Sequence, residues 1–233
     1  MISVVIATFN GSKYIEKQLK SILIQISKID EVIIIDDCSK DNTLDKIRNL
    51  NDNRVHVFQN SSNLGHVKSF EKGLILSKGE YIYLSDQDDF WLPNKVHLMN
   101  KEMINKKLDL LISSFYLTNT QGEITSPHHI TKLSRSRTIL NIVSIFTGAS
   151  NYYGSMMCLN RVSLSSVLPF PKNLEAHDLY LALKMNINGQ VGHLDKPLVI
   201  RTITGHNLSN SKRTIRKKIY SRILLFKALI IKK

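Results

Sequence analysis

The sequence predicts an α/β domain, a mostly parallel sheet with helices on both faces, in a chain of 233 residues. Three observations carry this. Short apolar runs alternate with segments of helical periodicity through the first half of the chain, as in parallel sheets with crossover helices. Polar and acidic clusters fall where the apolar runs end, the edge at which open α/β sheets bind ligands. The composition, 42% hydrophobic and 22% charged, is that of a chain with a core and excludes disordered or fibrous classes.

The elements follow in order. ISVVIA at residues 2–7, bounded by Asn10-Gly11, predicts a buried first strand. Ile15, Leu19, Ile22, Leu23 and Ile26 predict an amphipathic helix over 12–26. EVIII at 31–35 reads as a second strand closed by Asp36-Asp37, with a short helix over 41–50. RVHVFQ at 54–59 alternates as a third strand, and the turn Asn63-Leu64-Gly65 leads into a helix over 66–78. EYIYL at 80–84 predicts a fourth strand running into Ser85-Asp86-Gln87-Asp88-Asp89. Pro93 suits the first turn of a helix reaching about Lys107, and 109–115 reads as a fifth strand. Residues 116–176 read as less regular, with polar loops, His128-His129, Tyr152-Tyr153-Gly154 and a break at Pro169 and Pro171. A helix over 177–188 and a strand region over 191–200 follow. The expectation is one domain over 1–210, its two parts meeting near residue 115, and a basic amphipathic helix over 211–233.

Charge narrows the partners. Lys and Arg total 32 against 19 Asp and Glu, a net of +13, which suits an anionic partner. The excess is concentrated: from Lys212 to Lys233 there are nine basic residues and no acidic one. Ile215, Ile219, Ile223, Phe226 and Ile230 recur there at helical spacing, widened by Leu224, Leu225 and Leu229. An apolar face beside a Lys/Arg-rich one reads as lying in an anionic membrane surface; a helix packed on the domain with a solvated basic face is the alternative. Aromatic stacking platforms are not interleaved with the basic residues, so no nucleic-acid partner is expected. Cys38 and Cys158 lack metal-site spacing and are too few for a disulfide framework, which points to a reducing compartment. No basic n-region precedes the first apolar run, and no run reaches the ~18 residues of a membrane span. The expected location is cytoplasmic, peripheral on the inner face of the cell membrane.

Asp86-Gln87-Asp88 is the sharpest chemical signal. Two carboxylates at a strand end, with Asp89 adjoining, repel one another unless a cation or hydrogen-bond donors offset them. Hard cations such as Mg²⁺ or Mn²⁺ take one or two such carboxylates plus substrate phosphates. Capping of the following helix is the plainer role. Asp36-Asp37 repeats the pattern at a neighbouring strand end, as a loop-to-helix entry or as an acceptor for a base N–H or ribose hydroxyl. Asp178 sits where a first-turn acid belongs, His206 in a polar loop is on its own a surface residue, and Trp91 reads as core. A phosphatase of the haloacid-dehalogenase type also ends a strand with D-x-D, but it needs Thr or Val where this chain has Phe90. A non-enzymatic nucleotide- or membrane-binding α/β protein is the other alternative.

Val4-Val5-Ile6-Ala7-Thr8-Phe9-Asn10, Ile33-Ile34-Ile35-Asp36-Asp37-Cys38-Ser39-Lys40-Asp41-Asn42-Thr43, Asn63-Leu64-Gly65 and Ser85-Asp86-Gln87-Asp88-Asp89-Phe90-Trp91, in that order, resemble glycosyltransferase family 2 in its bacterial surface-polysaccharide branch. The match spans about residues 2–115 and resumes more weakly at Gly154 to Arg161, His177 to Leu183 and Arg201 to Ser209. The resemblance implies a GT-A fold, a nucleotide-sugar donor, Mn²⁺ or Mg²⁺, and an inverting mechanism. Thr8 and Asp37 would hold base and ribose, Asn10 and Lys68 would complete the donor set, and Asp86 would lie near the ribose or sugar. Asp88 would bind the metal with His206, and Asp178 would be the general base. The family's acidic pair before the acceptor helix stands here as His177-Asp178 with Glu175 two residues away, so Glu175 is the competing base. No Q-x-x-R-W occurs, which implies non-processive transfer to a glycan or a lipid-linked acceptor.

Overall fold

A computed structural model describes residues 1–118, 121–130, 138–147, 152–203 and Arg222. Eight strands form one sheet: β1 (Ile2–Thr8), β2 (Glu31–Asp36), β3 (Val55–Gln59), β4 (Tyr81–Asp86), β5 (Phe90–Trp91), β6 (Leu110–Leu117), β7 (Met157–Asn160) and β8 (Val191–Arg201). The helices are α1 (Ile15–Leu23), α2 (Thr43–Arg48), α3 (His66–Leu76), α4 (Lys95–Lys106), α5 (Thr138–Thr147) and α6 (His177–Asn188). The strand order is β3-β2-β1-β4-β7-β6-β8-β5.

β1 pairs in parallel with β2 and β4, and β2 with β3. β7 is antiparallel to both β4 and β6, so β6 returns to the direction of β4, and β8 runs parallel to β6. The carboxyl ends of β1, β2, β4 and β8 therefore lie along one edge of the sheet. This is the physical reason that residues far apart in sequence, Thr8, Asp36, Asp86 and Arg201, can meet.

The apolar runs do what their length and composition require. β1 and β2 are buried along almost their whole length, as strands covered on both faces must be. α1 buries Ile15, Leu19 and Ile22, the stripe expected from its period. Trp91 is 1% exposed, so it is core as read. Both cysteines are free thiols.

The second part of the chain departs from expectation. β7 and α5 lie within the stretch read as irregular, and β5 directly after the acidic loop. β7 and β5 have only four and two residues, too short for a period to register. α4 begins after Asn94, whose φ of 65° is left-handed, two residues beyond the start suggested by Pro93. His206 and, apart from Arg222, the tail over 211–233 lie outside the described residues. Among the described residues no helix is long and apolar enough to cross a membrane.

Candidate active site

The loops after β1, β2 and β4 hold one another. Asn10 has a left-handed φ of 49° and Cys38 one of 69°, which turns both loops sharply at their strand ends. The Asn10 amide donates to Ser39 Oγ at 2.9 Å, and its Oδ1 accepts from the Lys40 amide at 2.8 Å. Thr8 donates its hydroxyl to Gln87 Oε1 at 2.6 Å, which also accepts from the Phe9 amide at 2.9 Å. A Cβ at Gly11 would come within 2.2 Å of that same oxygen, so glycine is what lets Gln87 close the gap. Asn10 is thus spent on loop geometry, and Gln87 ties the strand-one loop to the acidic turn.

The two acidic turns are built differently. Asp37 is 3% exposed. Its Oδ1 accepts from Asn60 Nδ2 at 2.9 Å and from the Leu64 amide at 2.8 Å, and its Oδ2 from the Gly65 amide at 2.8 Å. The carboxylate draws the Asn63-Leu64-Gly65 turn onto the end of β2, where Gly65 takes a φ of 85° that favours glycine. Asp36 accepts at Oδ2 from the Ser39 amide and Gln59 Nε2, at 3.0 and 3.2 Å, and its Oδ1 is buried without a hydrogen bond. Lys68, exposed on α3, pairs with Glu71 at 2.5 Å. With His66 and Glu175 it lines a cavity of about 310 Å³ between the start of α3 and the loop before α6.

Around Asp86 the balance reverses. Burial raises its pKa above the usual carboxylate range, with Asp178 adding to the rise and Arg201, His177 and His66 opposing it. Burial likewise raises Asp178, against the Leu179 amide and the charges of His66 and Arg201. Asp89 is pushed well up by burial and by Asp86 and Asp88. Arg201 is 6% exposed and its guanidinium stacks 4.1 Å from the Tyr153 ring centroid. His177 is held neutral, its pKa lowered to about 3 by burial first and His66 second; its ring stacks on Phe70 at 4.2 Å and meets His66 edge-on at 5.6 Å. Ala176 is the N-cap of α6, so Asp178 sits inside the first turn, where Leu179 N donates to its Oδ1 at 2.8 Å.

A divalent cation suits this donor set. The carboxylates of Asp86 and Asp88 offer hard oxygen ligands, and burial leaves that of Asp86 poorly solvated, which a cation would offset. Among the described residues no group of three His, Cys, Asp or Glu side chains is arranged to hold a metal. The protein would supply one or two carboxylates and the diphosphate and water the rest, the usual arrangement for Mg²⁺.

The structure therefore brings Asp86 and Asp178 together with Thr8 nearby on the same sheet edge, and gives Asp37 and Asn10 to the walls. Arg201, His66 and Lys95 were missed by sequence reasoning. Arg201 had a legible signal, a cation closing the apolar run Leu198-Val199-Ile200 at a strand end. Lys95 had none: it is fully buried, and burial lowers its pKa to about 7 while Asp89 opposes the fall.

Known proteins share this architecture. The Glycosyl transferase family 2 model matches residues 3–168. An Escherichia coli protein, UDP-Glc:alpha-D-GlcNAc-diphosphoundecaprenol beta-1,3-glucosyltransferase WfgD, is 24% identical over 72% of this chain and 73% of its own length. The chain spans about half the length of other curated relatives. Staphylococcus aureus TarS 1-349 in complex with UDP-GlcNAc superposes with a TM-score of 0.79 at 21% identity, covering 99% of this chain and 68% of that one. Mannosyltransferase PcManGT from Pyrobaculum calidifontis, in complex with GDP-Man and Mn2+, has a TM-score of 0.68 at 18% identity, covering 100% of this chain and 65% of that one. The fold is of the GT-A type, and a family match over well beyond half of the sequence leaves one assignment: the chain belongs to glycosyl transferase family 2.

Proposed function

We propose an inverting, metal-dependent, non-processive glycosyltransferase that moves a sugar from a nucleoside-diphosphate sugar to a hydroxyl of a glycan or lipid-linked acceptor in surface-polysaccharide synthesis. The observation that supports this reading most is the meeting of Asp86, Asp178 and Arg201, drawn from three distant stretches of sequence, as mutually interacting charges in one partly buried site. Thr8 and Asp37 form the base and ribose side, Asp37 acting through the turn it holds. Asn10 keeps that loop in shape, Lys68 extends the donor wall with its positive charge, and Asp86 lies at the ribose or sugar. Asp88 and His206 would hold the cation.

The chemistry is a single displacement. The acceptor hydroxyl oxygen bonds to the anomeric carbon as the bond from that carbon to the diphosphate oxygen breaks, which inverts the centre. Asp178 takes the hydroxyl proton, and the upward shift that burial gives its pKa makes it a better base than an ordinary surface aspartate. Arg201 keeps a permanent positive charge beside the carboxylates, placed to face the negative charge that grows on the leaving diphosphate. A bound divalent cation supplies further positive charge to that leaving group. The basic tail from Lys212 to Lys233 brings the chain to an anionic membrane surface where a lipid-linked acceptor resides.

Thermal stabilisation by UDP-, GDP- and dTDP-sugars with and without Mn²⁺ tests the reading without an acceptor. A ligand at about 100 times its Kd adds about 2.7 kcal/mol to stability. One nucleotide class is expected to raise the melting temperature in a Mn²⁺-dependent way, and Asp88→Asn to abolish the Mn²⁺-dependent part while the fold persists. No stabilisation by any of the three classes at millimolar concentration overturns the reading. The tail is tested by co-sedimentation with anionic vesicles: the full chain pellets, salt weakens binding, and a chain ending at Asn210 stays in solution. Full-length chain left in the supernatant at low salt removes the membrane role.

A further inference from the structure

α5 is dressed unlike the other helices. α1, α3 and α4 turn lysines to solvent, Lys20, Lys68 and Lys101 among them, whereas α5, TILNIVSIFT, has no charged residue. Its inner side is ordinary: Asn141 and Ile145 are buried, and Ile142 and Phe146 pack on the core. Its outer side carries Ile139, Leu140 and Val143, which are 76%, 58% and 52% exposed. Residues three and four apart share a helix face, so these side chains form one patch. Asn141 Nδ2 donates to Asn186 Oδ1 of α6 at 3.3 Å, and the next residue of α6, Ile187, is half-exposed. A helix that is apolar on both sides is normally covered on both, and an exposed apolar patch marks a contact surface.

The charge around the patch indicates what covers it. Between Glu123 and Glu175 the chain has no acidic residue and five Lys or Arg. Three of these, Lys132, Arg135 and Arg137, fall in the six residues before α5. Arg137 immediately precedes Thr138, and chain connectivity alone keeps the other two near the helix. Apolar side chains next to a stretch of purely basic charge suit the boundary between acyl chains and anionic headgroups. A second copy of the chain fits less well. It would bring the same cations to the same place, and four aliphatic side chains offer less than the ~800 Å² per partner of a stable dimer.

We infer that the outer face of α5, with Ile187 beside it, is a lipid-contacting surface that enters the headgroup boundary of an anionic bilayer. The inference rests on the functional reading above for the lipid-linked acceptor, and the surface is separate from the basic tail. A patch this small holds a membrane only together with a second signal, so the tail recruits the chain and α5 orients it. Orientation matters to transfer. Asp178 lies in the first turn of α6 and Ile187 in its last, about 14 Å apart along the helix axis. That separation is of the scale of a diphosphate carrying a sugar or two. A chain seated on α5 therefore has its base within reach of the sugar end of a lipid-linked acceptor.

The test uses the full chain and vesicles of equal parts phosphatidylglycerol and phosphatidylcholine. Leu140→Trp puts an indole on the patch, against the constant background of buried Trp91. Without vesicles its emission is expected where a water-exposed indole emits. With vesicles it is expected to shift to the blue and to be quenched by brominated lipid. Ile139→Gln combined with Val143→Gln removes the apolar face without adding charge, and is expected to keep the melting temperature because both positions are exposed. Its partition to vesicles is expected to fall at least about tenfold, since binding scales with buried apolar area. The weakening of that binding by salt is expected to match that of the unaltered chain, whose charges it keeps. Full chain that pellets while the indole emission stays put assigns binding to the tail alone and overturns the proposal. So does a glutamine pair that binds as tightly as the unaltered chain, or full chain left in solution at low salt. Blue emission before vesicles are added also overturns it: rising with protein concentration it marks a second copy on the patch, and independent of concentration a segment of the same chain. No arm needs a nucleotide sugar, so a failure of donor stabilisation removes the proposed transfer reaction and leaves the lipid contact to be decided by these measurements.

Discussion

Asp36-Asp37 and Asp86-Gln87-Asp88-Asp89 look alike as sequence and differ as structure. Each closes an apolar strand, and both strands flank β1 with their carboxyl ends on the same edge. Asp37 is satisfied from within: three donors, two of them backbone amides, meet its two oxygens. The second turn is left short of compensation, with burial raising Asp86 and Asp89 and neighbouring carboxylates adding to the rise. An acidic turn that fills its own valences is scaffold. One whose carboxylates are buried beside like charges carries a cost in stability that a ligand can relieve, which suits the binding role proposed for it.

The largest effects are expected where that turn meets the base. Asp178→Asn should lower transfer by about 10²–10⁴-fold, the usual worth of a general base. Donor affinity, read as the thermal shift with nucleotide sugar and Mn²⁺, should stay near that of the unaltered chain. Equal losses of affinity and rate would move Asp178 out of the base role. A Glu175→Gln variant that is dead while Asp178→Asn is active would transfer the role to Glu175.

Next in size is the scaffold turn. Asp37→Asn replaces an acceptor oxygen with an NH₂ group that must face Asn60 Nδ2 or the Leu64 and Gly65 amides. A buried group left unsatisfied costs about 1–3 kcal/mol, and urea unfolding should show a loss of that size. Asp88→Asn, at a half-buried position on the other turn, should cost less stability than Asp37→Asn. If the two variants lose equal stability, the distinction between the turns fails.

The sequence made the two turns visible but could not rank them. A D-x-D at a strand end is legible because strand periodicity and acidic residues are both local signals. Which carboxylate finds donors is decided by residues at 60, 64 and 65, brought in by the turn before α3. The parallel half was readable from β1 to β4 because each strand there is at least five residues long and each helix has a stripe. The other half rests on β7, a four-residue strand whose antiparallel pairing reverses the chain between β4 and β6. No local pattern announces such a reversal. It is what carries β8, and with it Arg201, to the active edge. Lys95 was illegible for a related reason: a lysine in the first turn of a helix is ordinary on a surface, and only the meeting of α4 with the 154–156 turn buries it.

A further expected effect has the opposite sign to that of Asp37→Asn. Asp86 has a folded-state pKa above its unfolded value, chiefly through burial. Its ionised form therefore works against the fold at neutral pH. As pH falls through the raised pKa toward the unfolded value near 3.9, the folded chain takes up the proton first and stability recovers. Asp86→Asn removes the charge without changing shape, so at pH 7 it should be more stable than the unaltered chain, by about 0.5–2 kcal/mol, the range of gains found where an active-site strain is relieved. The gain should vanish below about pH 4, where both states of the unaltered chain hold the proton. His177 titrates in the contrary sense. Its folded pKa of about 3 lies below the unfolded value near 6.5, so its contribution is full above about pH 6.5 and is lost as pH falls toward 3. Unfolding of both chains between pH 4 and 7 separates the two, because His177 is common to both and cancels in the difference. A difference that is flat with pH, or an Asp86→Asn chain less stable at pH 7, would mean that Arg201 and the neighbouring donors already compensate Asp86, and that the second turn is as satisfied as the first.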